Sequence, residues 1–280
     1  MHALPLLLAM ACAVALAPAL LRALVAGAHT RPNYRLRELP FPLGVLVLAA
    51  ATLALIPVEL VQRFASTELL HPEAVPIALY ALGVIGLGLV DDAFGAAAPG
   101  RAPARGWRGH AAAALRGELS TGMLKAAGSV GLALFAMSYL KLSDARWLLA
   151  AAVLVLATNV FNLLDLRPGR TLKALVLLGA GLLIGSANPR PLWALGLFLG
   201  PALVAGFADL RERAMLGDTG ASLLGAVAGL WLVLSLSGTG QVVALALLAA
   251  ISVYGELRSI SELVERTPGL RGLDSWGRPT

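Results

Sequence analysis

Cysteine is almost absent from this chain, with Cys12 the only one in 280 residues. A single thiol excludes an intramolecular disulfide and points to no particular redox compartment. No histidine and cysteine cluster has zinc spacing, so a zinc site has no basis in the sequence. Charge is scarce as well. Charged residues make up 14% of the chain, against about 25% in soluble globular domains. The opening residues, Met1-His2-Ala3-Leu4-Pro5, lack the basic segment of a secretory signal, and the apolar stretch behind them reaches Ala28 with only Arg22 interrupting it. That predicts a retained first span rather than a cleaved leader. No internal repeat is apparent.

Apolar surface is what the chain has in quantity. Hydrophobic residues account for 58% of it, and the mean hydropathy is +0.80. Apolar runs of about 17–25 residues, enough to cross a hydrocarbon core of about 30 Å, recur along the whole length. They predict spans at 4–27, 41–62, 73–90, 118–140, 147–164, 172–187, 191–208, 220–237 and 240–257. The longest connection, 91–117, has only 27 residues, too few for an aqueous domain. The expected fold is therefore all-α: a polytopic integral membrane helical bundle of about nine transmembrane helices, one domain over 1–280.

The basic residues sort by side. Nine spans put the loops 28–40, 91–117, 165–171 and 209–219 and the tail after 257 on one face, with fifteen arginines between them. The opposite loops hold four cations, Arg63, Lys141, Arg146 and Arg190. Positive residues are retained on the cytoplasmic side, so the N-terminus is expected outside and the C-terminus in the cytoplasm. The net charge of +6 then needs no nucleic acid to explain it.

The same parity gathers the polar clusters on the cytoplasmic face. Asp91 and Asp92 close the third span, after an uncharged run from Ala74 to Val90. Acids beside a span are a functional hypothesis because an ionised side chain is costly in hydrocarbon, and two adjacent carboxylates repel unless a cation neutralises them. Asn159, Asn162 and Asp165 close the fifth span at spacings of three, which places them on neighbouring parts of one helix face. The plainer reading of the asparagines is interhelical hydrogen bonding. Gly217-Asp218-Thr219-Gly220 opens the eighth span. Asp218 there is either an N-cap or a ligand holding Mg²⁺ against a phosphate at a helix N-terminus. Lys125, expected about two turns into the fourth span, needs snorkelling or a phosphate to justify it. The loop Gly106-Trp107-Arg108-Gly109-His110, followed by Arg116, is either a solvated basic loop or a clamp for an anionic head group.

Taken in order, these clusters resemble the polyprenyl-phosphate N-acetylhexosamine-1-phosphate transferases, which include the phospho-N-acetylmuramoyl-pentapeptide translocases and undecaprenyl-phosphate GlcNAc-1-phosphate transferases. Leu89-Val90-Asp91-Asp92 is similar to that family's Asp-Asp motif, Asn159-x-x-Asn162-Leu163-x-Asp165 to its Asn-x-x-Asn-Leu-x-Asp motif, and Met215-Leu216-Gly217-Asp218-Thr219-Gly220 to its Met-Gly-Asp-x-Gly motif. The resemblance covers nearly the whole chain. It implies a transmembrane phosphoglycosyltransferase of the bacterial plasma membrane, with its site on the cytoplasmic face, in cell-wall (peptidoglycan) or surface-glycan synthesis. Sugar-1-phosphate would pass from a UDP-sugar to undecaprenyl or another polyprenyl phosphate, releasing UMP, with Mg²⁺ (or Mn²⁺ in its place) as cofactor. By the same resemblance, Asp218 and Asn162 would hold the metal, and Asp91 or Asp92 would deprotonate or position the lipid phosphate. Asn159 and Asp165 would help hold the nucleotide-sugar, and Lys125 would steady a phosphate. Membrane lipids and a second copy of the chain, as a homodimer, complete the expected partners.

The chain departs from that pattern in three places. Where members continue with Gly-x-Asp-Gly, it reads Leu166-Arg167-Pro168-Gly169-Arg170. The histidine motif of the last cytoplasmic loop is replaced by a segment from Arg266 to Arg278, and the tenth span is absent from this sequence. Arg167 and Arg170 are expected to bind substrate, supplying the cationic character of those histidines. The departures also support a second reading, a non-catalytic paralogue that binds polyprenyl phosphate as a scaffold or regulator. A transporter would carry its charges at mid-membrane on broken helices, which is not the pattern here.

Overall fold

The computed structural model describes residues 2–95, 109 and 120–279. The loop residues Trp107, Arg108, His110 and Arg116 lie outside the described residues. Hydrocarbon offers no hydrogen-bond partners, so an apolar run must satisfy its own backbone, which a helix does. The runs accordingly form α1 (Leu4–Ala26), α2 (Gly44–Ala65), α3 (Ala74–Phe94), α4 (Thr121–Met137), α5 (Asp144–Leu164), α6 (Arg170–Ser186), the short α7 (Arg190–Ala194), α8 (Gly196–Leu210), α9 (Gly217–Ser235) and α10 (Gly238–Leu257). Two more helices, α11 (Ile260–Arg266) and α12 (Pro268–Ser275), follow α10. The only strands among the described residues are β1 (Thr30–Pro32) and β2 (Glu38–Pro40), an antiparallel pair with Thr30 opposite Pro40.

The all-α class is as expected. Among the described residues six helices, α1, α2, α3, α5, α9 and α10, are long and apolar enough to cross a membrane. Three of the nine expected spans are shorter helices: α4 and α6 with 17 residues each and α8 with 15. At 1.5 Å per residue these reach only about 22–26 Å.

Several boundaries differ from the expected ones. Ser120 caps α4 by accepting from the Met123 amide, so Lys125 stands about one turn into that helix, not two. Asp91 and Asp92 fall inside the last turn of α3 rather than after it. Asp165 has already left the helix, with ψ at 44°. It therefore does not continue the helical spacing of Asn159 and Asn162.

The bundle is built around α9, which is buried along nearly its whole length and packs most extensively against α5 and α3. Small residues allow this. A Cβ at Gly88 of α3 would stand 2.6 Å from Thr219 Cα and 2.7 Å from the Asp218 carbonyl, and one at Gly225 of α9 would stand 2.6 Å from Thr158 Cα. Close backbone approach between small residues is the usual basis of helix association in membranes. A buried hydrogen bond of 2.9 Å between the Tyr80 and Thr158 hydroxyls ties α3 to α5. At the edge of the bundle, α10 buries only Gln241 and Ala244 and turns Val242, Val243 and Leu247 outward.

Candidate functional site

The approach of Gly88 to Thr219 brings the end of α3 against the start of α9. The first amides of a helix have no partner within it. Here Asp92 supplies one, accepting from the Asp218 amide at 2.9 Å through Oδ1 and from the Thr219 amide at 2.8 Å through Oδ2. The Thr219 hydroxyl also donates to Oδ2, at 2.5 Å. Asp92 is thus a cap delivered from another helix, and a negative charge at that position also opposes the helix dipole favourably. Its backbone carbonyl accepts from Arg31 Nη2 at 2.6 Å, and the Arg31 guanidinium lies over the Phe41 ring.

Asp91 points elsewhere. Lys125 Nζ lies 3.0 Å from Asp91 Oδ2 and 2.9 Å from Asp218 Oδ2, so one ammonium joins acids from α3 and α9. Thr121, in the first turn of α4, adds a hydrogen bond to Asp91. Asp218 is the most open of the three, its side chain 40% exposed against 14% for Asp91 and 16% for Lys125. Ser222, one turn beyond Asp218 on the same face of α9, donates to Asn162 Oδ1 at 3.0 Å. Asp91, Lys125 and Asp218 therefore meet where α3, α4 and α9 converge, with Asn162 of α5 tied in through Ser222, one turn further along α9.

Asp165, just past the end of α5, lies near enough to these acids to feel their charge. Burial, together with the nearby negative charges of Asp209, Asp218 and Asp92, pushes its carboxyl well above the ordinary carboxylate range, against the opposing pull of Arg170. Asn159 is directed away, donating to Ser252 of α10 at 3.1 Å. One residue in three along a helix is displaced by about 60°, enough to send Asn159 and Asn162 to different neighbours.

Arg167 and Arg170 are bound to the tail. The side chain of Arg170 is 7% exposed and grips both oxygens of Asp274, at 2.8 and 3.1 Å, as well as the Ser261 hydroxyl. Arg167 reaches Glu265 at 3.1 Å and lies over the Tyr34 ring. Neither guanidinium has a hydrogen bond or ion pair with Asp91, Asp218 or Lys125 among the described residues.

Two acids that the motifs do not include support the site from behind. Asp209, buried at the end of α8, accepts from the Gly169 amide at 2.7 Å and the Leu216 amide at 3.4 Å. It joins the turn after Asp165 to the turn before Asp218. Glu212 is buried beneath the β hairpin, accepting from Asn33 and Tyr34 with Arg35 at 3.6 Å and Arg37 at 3.9 Å. An acid at the end of an apolar run, as in Phe207-Ala208-Asp209-Leu210, is a signal of the kind that singled out Asp91. Glu212, flanked by Arg211 and Arg213, gives no such signal.

A divalent cation fits this donor set in one way. Among the described residues no group of three or more His, Cys, Asp and Glu is arranged to hold a metal. Mg²⁺ commonly takes one or two carboxylates and completes its shell with water and substrate phosphate oxygens, and two acids already sharing one cation satisfy that requirement. Compared with known proteins, the chain matches no protein-family profile and no curated protein sequence.

Proposed function

We propose that this chain is a membrane-embedded phosphoglycosyltransferase that moves a sugar-1-phosphate, of the N-acetylhexosamine class, from a UDP-sugar to polyprenyl phosphate. The observation that carries this reading is the meeting of Asp91 and Asp218 on one Lys125 ammonium, beside the Asn162–Ser222 pair. Phosphoryl transfer needs positioning and the neutralisation of charge on the transferred group, and these residues can do both.

In the reaction, an oxygen of the lipid phosphate attacks the β-phosphorus of the UDP-sugar. The bond from that phosphorus to the bridging oxygen breaks, and UMP leaves with the bridging oxygen. Mg²⁺, held by Asp218 and Asn162 with Asp91 beside them, would supply neutralisation of the diphosphate. Lys125 exchanges its carboxylate partners for a phosphate oxygen. Asp91, rather than Asp92, orients the lipid phosphate or takes its proton, because both Asp92 oxygens are occupied at the start of α9. Asp92 acts through α9 as a positioning residue. Asp165 lies beside the nucleotide-sugar, Asn159 braces α5 against α10 through Ser252, and Arg167 and Arg170 shape the rim through the tail. The topology that goes with this reading has nine spans, the N-terminus outside, and the site on the cytoplasmic face of a bacterial plasma membrane.

The test is UMP release by the purified protein with undecaprenyl phosphate, Mg²⁺ and a panel of UDP-sugars. The second reading, a polyprenyl-phosphate-binding paralogue without turnover, is favoured by the same ammonium, which already bridges Asp91 and Asp218 without a metal. Lipid binding with no UMP from any UDP-sugar would decide for it.

A further inference from the structure

The segment after α10 has an apolar face that none of the described residues covers. In α12 no residue is buried, and Leu270 and Leu273 on it, with Trp276 just past its end, are 43%, 40% and 73% exposed. Leu257, at the end of α10, and Leu263, in α11, are exposed as well. Such a stripe in a short helix is characteristic of segments that lie in a membrane interface, and tryptophan favours that depth.

The position of α12 is fixed from two sides. Leu257 ends a helix long and apolar enough to span, and α11 begins three residues later. On the other side, Lys173 Nζ donates to the Asp274 carbonyl at 2.6 Å and Arg170 holds the Asp274 carboxylate. Both cations belong to the first turn of α6. The polar edge of α12 is therefore held level with a helix entering the bundle, at the height where α10 leaves it.

Charge agrees with that placement. Glu262, Glu265 and Asp274 are each engaged by an arginine: Arg266, Arg167 and Arg170. Among the described residues, Arg258 and Arg271 have no carboxylate partner. Arg271 and Arg266 line an open cavity of about 450 Å³ between α11 and α12, with Pro268, Gly272, Ser275 and Glu265, the last already paired with Arg167. Arginines beside an apolar stripe attract anionic lipid head groups.

We infer that α11 and α12 form an interfacial anchor lying on anionic lipid, with Leu270, Leu273 and Trp276 among the acyl chains and Arg258 and Arg271 at the head groups. This goes beyond the transferase reading and does not depend on it. The single cysteine makes the test direct. The full chain carrying Cys12→Ala and Leu273→Cys is labelled with an environment-sensitive fluorophore and reconstituted in phosphatidylcholine vesicles with and without phosphatidylglycerol. The expected result is several-fold stronger quenching by spin-labelled lipid than for a label at Leu36→Cys in the β hairpin. The effect should grow with phosphatidylglycerol and weaken in Arg258→Gln/Arg271→Gln. A label at Leu270→Cys should repeat it, which controls for disturbance at one position. Labels quenched by aqueous iodide and not by lipid would overturn the inference, as would lipid quenching indifferent to both phosphatidylglycerol and the two arginines.

Discussion

Thr219 donates twice to the same oxygen of Asp92, from its amide at 2.8 Å and from its hydroxyl at 2.5 Å. The second carboxylate of the Asp-Asp pair is thereby committed to the start of α9, and the first is left facing Lys125. Adjacent acids with similar sequence context thus have separate physical duties.

That division gives a stability prediction. Asp92→Asn keeps the shape but loses the charge and one acceptor, so it should cost about 1.5–3 kcal/mol, the range for hydrogen bonds to an ionised group. Thr219→Val removes only the hydroxyl contact and should cost about 1 kcal/mol. Thermal unfolding in detergent of both single variants and the double variant measures their coupling. Additive losses would show that the hydroxyl and carboxylate do not act together.

Asp218→Asn should abolish Mg²⁺-dependent UMP release while the protein remains folded in detergent. Asp218 is the most exposed of the three bridged groups, so its loss should disturb packing least. Full activity in that variant would remove Asp218 from the metal role.

Lys125→Met should separate charge from packing. With the ammonium gone, Asp91 and Asp218 repel, and a divalent cation becomes the means of neutralising them. Mg²⁺ should then raise Tm more in the variant than in the wild type. Turnover should fall by about 10²-fold, as for removal of a group that stabilises transition-state charge. Equal Tm in Mg²⁺ and in EDTA for both proteins would show that the two acids do not form a cation site.

The tail contact should withstand moderate acid. Burial alone would raise the Asp274 carboxyl, but hydrogen bonds and charge from Arg170 and Arg278 outweigh it and hold the group down to about 2. A free aspartate titrates near about 3.9, so protons bind the released form first. The contribution to docking is complete above that value and is lost as pH falls through about 2. Hydrogen exchange of 268–279, corrected for intrinsic rates, should show protection constant from neutral pH down to the free-aspartate value, and low protection at every pH in Asp274→Asn. Loss of wild-type protection near neutral pH would contradict this.

Gly88→Ala should displace the start of α9, since the added methyl would meet backbone 2.6 Å away. Forcing an extra carbon into packed structure costs about 1–3 kcal/mol. Gly86, whose Cβ would meet nothing within 4 Å, is the control and should tolerate alanine. Similar Tm losses at both positions would place the cause elsewhere.

The helices were legible because hydrocarbon length and backbone saturation leave an apolar run one conformation. The polar clusters were legible because such runs push charge to their ends. Pairings between clusters were not. Asp92 and Asp218 are separated by 126 residues, and periodicity says nothing about which helix end meets which. The triplet Asn159, Asn162 and Asp165 illustrates the limit: one spacing sends its members to α10, to α9 and out of the helix. Arg170 looked like a substrate cation because its partner, Asp274, comes 104 residues later.

The backbone link between the β hairpin and the turn before α9 bears on assembly. The Met215 amide donates to the Pro40 carbonyl, and the Leu43 and Gly44 amides donate to the Met215 and Leu216 carbonyls. Residues that leave the ribosome early therefore wait with unmet donors until a segment from the last third of the chain arrives. A fragment ending before α9 could still set Asp91 against Lys125 but would leave Asp92 with no helix start to cap, so the site is complete only once α9 has packed.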